Sequence, residues 1–477
     1  MIRWGMISNR GEPVIMATFF RKPDRRQRLL LPVDMLDWLP ESDFVHLVLD
    51  AVEQIDLSGF EAEYRTGGAG QAPFAPAMML AVLIYAYANG HRSSRKVERL
   101  CWRDVGFRMI VGEHVPDHSV IARFRRQHAE RLQAVFVAVL ELCRAAGLGR
   151  LGVVALDGTK VAANAALAAN RTAQTIDQEV AAILAEAEAT DAHEDAEHGE
   201  LRGDELPPDL RHREARLKRL LAAKQRLAQE AAERAAAQQE KVDARAAKEA
   251  ETGKQKRGRK PAPPSAEVDP QAKANPTDPD SGIMKTAKGW VQGYNAQAMV
   301  SEDQIILAGG LTQEANDVHQ LEPMLTAALL NLELASGEEV ALGAMLADAG
   351  YWSEANAEAE TEEAERLIAT RSAHRQRAAG RDQPSPRGRM PSNLTPRQRM
   401  ERKLMTKRGR NLYALRGQTV EPVFGQMKET QGADRFMVRG LTACTGEWTL
   451  HCLAHNLKKL HAHRVHRSVN ARRTVLH

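Results

Sequence analysis

The sequence predicts a mixed α/β sheet covered by helices, preceded by an all-α region and interrupted by a helical insertion. Three observations carry that expectation. Residues 31 to 150 hold apolar side chains at helical spacing. Two short apolar runs, "LGVVAL" from Leu151 and "VALGAMLA" from Val340, read as buried strands, and each leads into an aspartate followed closely by glycine. Between the first run and a later hairpin pattern lies a stretch, 172 to 275, rich in Ala, Glu, Leu and Arg. At 477 residues the chain is long enough for two or three domains. Its 43% hydrophobic and 27% charged content is ordinary for a globular protein.

The first thirty residues read as a tail. "MIRWGMISNRGEPVI" has no pattern, and "MATFFRKPDRR" begins afresh at Met16, as if the natural start lay there. A helical domain over 31 to 150 follows. In "ESDFVHLVLDAVEQI", Phe44, Leu47, Val48, Ala51 and Ile55 share one helix face, and "PAMMLAVLIYAYANG" enters on Pro76 and leaves on Gly90. Three short pieces come next, the last being "PDHSVIARFRRQH". There Asp117 or Ser119 can cap, Val120, Ile121 and Phe124 can face inward, and Arg123, Arg125 and Arg126 can face out. Three short helices ending on a basic one resemble a helix-turn-helix unit; a plain helical bundle with a solvated basic face is the alternative.

At "LGRLGVVALDGTKVAANA" the period changes to that of a strand ending on Asp157. Two helices of the insertion, joined by an acidic, Pro-containing segment, are expected to fold back on each other. Leu220 and Leu227 give a single clean heptad step, which is thin support for a long coiled coil. "KQKRGRKPAPP" reads as a flexible linker whose "RGRKP" resembles an AT-hook arm. "YNAQAMV" and "QIILAGGL" flank "SEDQ" as a hairpin, "HQLEPMLTAALLNLELA" is an amphipathic helix, and the second apolar strand ends on Asp348. A helical "SEANAEAETEEAERL" and a short strand "LIATR" complete the order.

Charge and cysteine usage narrow the functional classes. The net charge is +4, but residues 371 to 410 carry thirteen Arg or Lys against Asp382 and Glu401, a local field suited to polyanions. Four scattered cysteines with no C-x-x-C pair argue against a zinc finger or a disulfide framework. His451, Cys452 and His455 lie on a Leu-rich helical stretch and read as packing. With no membrane-length apolar run and no signal peptide, a cytoplasmic location is expected.

Asp157 and Asp348 are the chemical core. Adjacent strand ends would hold their carboxylates in one metal site, and magnesium prefers a few carboxylates completed by water and phosphate. A third acid is sought in "YALRGQTVEPVFGQMKE", where Glu421, Phe424 or Gly425, and Lys428 fall on one helix face. Taken alone, Glu421 and Lys428 would be ordinary surface charges.

These phrases together resemble the DDE transposases of bacterial insertion sequences, in the branch with a Tyr-Arg-Glu-Lys motif. "IYAYANGHRSSRKVE" and "PDHSVIARFR" resemble their N-terminal domain, "ALDGTKVAANA" the first-aspartate segment, "ADAGYWSEAN" the second, and "YALRGQTVEPVFGQMKE" the motif carrying the final acid. "DPDSGIMKTAKGWVQGYNAQAMV", "TQEANDVHQL" and "EWTLHCLAHNLKKL" fit the same order. One departure stands out: four residues separate Arg416 from Glu421 where the family has three, while the six between Glu421 and Lys428 are kept.

The resemblance implies an RNase H-like catalytic domain over 151 to 470, with its first and fourth strands adjacent. It implies catalytic, metal-holding Asp157, Asp348 and Glu421, with Mg2+ (or Mn2+ in its place) as cofactor. Tyr413, Arg416 and Lys428 would grip DNA, and Arg123, Arg125 and Arg126 would bind the terminal inverted repeats. A homodimer would cut the element ends and join them to target DNA. Tyr351 and Trp352 are expected to pack the strand end rather than stack on a displaced base. Two rivals differ in what they need: a stand-alone RNase H-like nuclease has no use for the helical domain and basic segments, and a non-catalytic DNA-binding descendant has no use for three acids.

Overall fold

The computed structural model describes residues 34–64, 72–198, 208–255, 257–286, 288–359, 364–372, 375, 378 and 384–475. The predicted N-terminal tail lies outside them. Residues Ser42–His477 form one compact unit; in Met1–Glu41 the described part is a 3₁₀ turn, Met35–Trp38, capped by Asp34.

Among the described residues seven helices open the compact unit: α1 (Phe44–Glu53), α2 (Ser58–Glu61), α3 (Pro76–Ala88), α4 (Ser94–Arg103), α5 (Val105–Val111), α6 (His118–Gln127) and α7 (Leu132–Ala145). Their starts obey capping chemistry. Asp43 accepts from Val45 N, Pro76 opens α3, and Asp117 rather than Ser119 caps α6 by accepting from Ser119 N at 2.7 Å. The central helix α3 is apolar almost all round and buried almost throughout, as a helix wrapped by others must be.

The sheet is mixed. Its strands are β1 (Val153–Ala162), β4 (Gly282–Thr286), β5 (Gly289–Ser301), β6 (Ile306–Thr312), β7 (Ala344–Ala347) and β8 (Glu365–Ile368), in the order β4-β5-β1-β7-β8 with β6 also on β5. β1 is antiparallel to β5 and parallel to β7, which is parallel to β8. Two strands, β2 (Arg171–Thr172) and β3 (Lys273–Ala274), pair with each other and close the base of the insertion. Between them α8 (Ala173–His198) and α9 (Pro208–Thr252) pack face to face, burying Ile176, Leu220 and Leu227. The linker after α9 runs back along it, where Arg245 and Gln238 donate to the carbonyls of Arg259 and Ala262.

Helices α10 (Leu321–Ser336), α11 (Glu354–Glu358), α12 (Pro396–Met405), α13 (Lys407–Thr430) and α14 (Leu441–Val475) follow the hairpin. They cover both sheet faces. A side chain at Gly310 would meet Met324 of α10, whereas one at its neighbour Gly309 would meet Trp448 and Cys452 of α14. Successive strand residues point to opposite faces, so α10 lies on one face and α14, with α13 beside it, on the other. The helical region and the sheet share a core through α14: α3 and α7 pack on it, Tyr87 donates to Glu447 at 2.9 Å, and Asn456 bonds both backbone groups of Ile306. The mixed sheet flanked by helices, behind a helical N-terminal region, is the fold class expected from the sequence. Among the described residues no helix is long and apolar enough to cross a membrane.

Candidate active site

Strand register brings the two aspartates together. Leu156 of β1 sits opposite Ala347 of β7 in parallel pairing, and the next residue on each chain is Asp157 and Asp348. There β7 stops. Asp348 caps a 3₁₀ turn, Ala349–Tyr351, by accepting from Gly350 N at 2.8 Å. β1 does not end on Asp157 as the apolar run suggested. It continues to Ala162 because β5, longer than β7, still supplies hydrogen-bond partners on its other edge.

A buried guanidinium lies between the two carboxylates. Arg416 of α13 places Nη2 2.9 Å from Asp157 Oδ2 and 3.9 Å from Asp348 Oδ2. Burial pushes the Asp157 carboxyl up to about 6; Arg416 opposes that rise, and the charges of Asp348 and Asp317 add to it. An acid pair that draws in a cation of the protein itself is a pair suited to holding one.

Helix α13 carries the remaining motif residues. Pro422 inside it has no N–H, so the carbonyl of Gln418, four residues back, loses its helical donor. Gln304 fills that vacancy, donating Nε2 to Gln418 O at 2.9 Å from the β5–β6 turn. Gln304 is also the one described non-glycine residue with positive φ, at 66°. Its carbonyl meets His455 at 3.0 Å and its side-chain oxygen accepts from Lys459, so one strained residue ties α13 and α14 to the sheet beside Glu421. Glu421 itself is exposed, its carboxylate over Gly417 about one turn earlier. Five residues from Arg416, it is rotated about 140° around the helix, whereas the family's four would keep both on one face. Lys428, half-buried, donates to the Thr159 hydroxyl on β1; burial lowers its pKa, with Asp434 and Asp157 opposing. Tyr413 is partly exposed about a turn before Arg416.

One predicted DNA contact needs correction. Arg125 does not face out: it is buried, and its Nη1 donates to the Tyr87 hydroxyl at 2.8 Å and to Arg92 O at 3.0 Å. The reason is helical phase, since Ile121, Phe124, Arg125 and His128 form the inward stripe at i, i+3, i+4 and i+7. Arg123 and Arg126 are exposed. Arg416 is likewise buried against the aspartates rather than turned to solvent. Tyr351 is buried and donates to Gln297, which is strand-end packing, while Trp352 is partly exposed. His451, Cys452 and His455 are buried packing residues of α14.

Sequence reasoning missed Asp317. This residue precedes α10, and its carboxylate accepts from Lys160, Asn295 and Gln297 close to both catalytic candidates. The available signal was weak: "EANDVHQ" has no period, and Asn295 and Gln297 look like polar members of an alternating strand. Among the described residues, the group of three acidic or histidine side chains whose ligand atoms all lie within 4.8 Å of one another is Glu98, Asp117 and His118, in which His118 meets Glu98 at 3.0 Å and Asp117 at 3.2 Å.

Residues 33–127 match the family model described as Transposase domain (DUF772), and residues 388–461 match the one described as Transposase DDE domain. Both matches support an insertion-sequence DDE transposase. No curated protein and no solved structure matches it. The second match spans α13, and thus Glu421, while Asp157 and Asp348 fall between the two matched segments. A transposase DDE domain implies dependence on a divalent metal ion. The donor set fits one: the two adjoining carboxylates offer oxygen alone, already face a cation in Arg416, and have a third acid on the helix above them.

Proposed function

We propose that this transposase cuts the ends of its insertion sequence and joins them to target DNA, using Mg2+, or Mn2+ in its place, held by Asp157, Asp348 and Glu421. The observation that carries this reading is the register of β1 and β7, which sets two carboxylates side by side under the helix bearing the third. When bound, the metal supplies activation of the attacking oxygen and stabilisation of the departing one in an in-line displacement.

The chain's own residues do the rest. Asp157 and Asp348 orient the site from the sheet, and Glu421 swings from solvent onto it as Arg416 yields its place between the aspartates. Lys428, anchored on Thr159, presents a positive charge where the phosphodiester lies, and Tyr413, partly exposed on the same helix, contacts the same DNA strand. Water first attacks the phosphodiester at each element end, and the freed 3′-hydroxyl then attacks target DNA. Arg123 and Arg126 contact phosphates of the terminal inverted repeats, which makes binding sensitive to salt. Two ends cut in concert call for a homodimer on DNA, acting in the cytoplasm.

The test incubates purified protein with labelled DNA carrying the gene-flanking ends and a circular target. Cleavage and joining in Mg2+, abolished by EDTA, are expected. Binding with no cleavage in either Mg2+ or Mn2+ would favour a DNA-binding descendant instead.

A further inference from the structure

Asp317 reaches the catalytic centre from the sheet face opposite Arg416. Its Oδ1 accepts from Asn295 Nδ2 at 2.7 Å, Gln297 Nε2 at 2.9 Å and Lys160 Nζ at 3.3 Å. Lys160 and Asn295 are cross-strand partners on β1 and β5, as are Gly158 and Gln297, so all the donors belong to one sheet face. The Asp157 side is the other face, under α13.

The glycines that follow the two aspartates record how close Asp317 comes. A Cβ at Gly158 would stand 2.8 Å from Asp317 Oδ1 and against Gln297; one at Gly350 would stand 3.3 Å from Asp317 Oδ2 and 3.0 Å from Asp348 Oδ1. One carboxylate therefore sits over both catalytic segments, with its bonds gathered on Oδ1 and its Oδ2 turned to the Asp348 turn. Gln297 extends the link by accepting from the Tyr351 hydroxyl, three residues past Asp348. Helix capping does not account for this placement, because the N-cap of α10 is Gln320 and no side chain caps the helix.

We propose that Asp317 is a fourth acidic residue of the metal centre, a positioning residue that fixes the spacing of the Asp157 and Asp348 segments and adds negative charge behind them, tempered by Lys160. The proposal rests on Asp157 and Asp348 being metal ligands. It makes a prediction of sign: removing Asp317's charge weakens divalent-cation binding, while removing its counter-ion Lys160 strengthens it. A purely structural role would make both changes weaken binding.

The experiment measures Mn2+ affinity of the full-length chain, free of DNA, by electron paramagnetic resonance. Wild type is compared with Asp317→Asn, Lys160→Met, Lys160→Arg and Asp157→Asn, each checked for wild-type melting. Asp317→Asn is expected to weaken Mn2+ binding by about tenfold, as one unit charge at short range would. Lys160→Met should tighten it and Lys160→Arg leave it at the wild-type value. Unchanged affinity in Asp317→Asn, or weakened affinity in Lys160→Met, overturns the proposal; the Lys160 pair decides it if Asp317→Asn does not fold. Mn2+ binding that Asp157→Asn fails to weaken overturns the metal-centre reading, and the proposal with it.

Discussion

Arg125 and its neighbours Arg123 and Arg126 share one short basic phrase and have opposite fates. Arg125 lies in the inward stripe of α6, beside Tyr87 and near Glu447, so truncation leaves buried polar groups without a partner. Arg125→Ala is expected to cost about 3 kcal/mol in chemical denaturation, the scale for breaking a buried charged network. Arg123→Ala and Arg126→Ala should leave stability within about 0.5 kcal/mol and each lower the salt slope of DNA binding by about one. At Arg416 the residue scale meets the metal. Arg416→Ala leaves Asp157 and Asp348 facing each other uncompensated, so in EDTA it should melt below wild type. Adding Mn2+ should then raise its melting temperature more than it raises that of wild type; an equal rise in both would sink the idea that guanidinium and metal compete for one place.

At the scale of elements, most strand and helix types were legible in sequence and their ends were not: the helix expected through Leu367 stops at Glu358, and Glu365–Ile368 is β8. "LGVVALDG" and "AMLADAG" showed buried strands meeting an acid because apolar runs with glycine behind them have few other uses. The sequence could not show that β1 runs on to Ala162, since that depends on how long β5 offers hydrogen bonds. Nor could it show Arg416 between the aspartates or Asp317 beneath them, because both arrive through long-range packing rather than any local period. Pro422 is an intermediate case: a proline inside a helix announces an orphaned carbonyl, but the donor, Gln304, comes from a turn more than a hundred residues away. Gln304→Ala should lose about 1–2 kcal/mol of stability. It should also reduce end cleavage, with DNA binding retained, because the segment bearing Glu421 is freed. Full cleavage by that variant would mean the tie does not position the acid.

For the whole molecule, the shared core around α14 governs response to acid. Burial lowers the His451 value to about 3 and the His455 value to about 4, against an ordinary 6.5. Histidines depressed in the folded state take up protons first in the unfolded chain, so stability is lost as pH falls below 6.5 and continues to fall toward 4. Asp157, raised by burial, acts in the opposite sense below about 6, but two larger histidine shifts outweigh it. Melting temperature should therefore decline steadily from pH 7 to 4.5. Each histidine contributes up to about 3 kcal/mol of that loss. His451→Gln should flatten the decline; an identical slope would show that His451 titrates normally.

The central claim is that Asp157 and Asp348, brought together by strand register, form the metal centre for DNA cleavage and joining. Its most direct test places Asp157→Asn beside wild type on the same labelled ends in Mg2+, with DNA binding measured in parallel. The account predicts that cleavage and joining vanish while binding stays within about twofold, since a single partly buried carboxylate is lost and the cations of α6 and α13 that face phosphate remain. Wild-type cleavage by Asp157→Asn would contradict it.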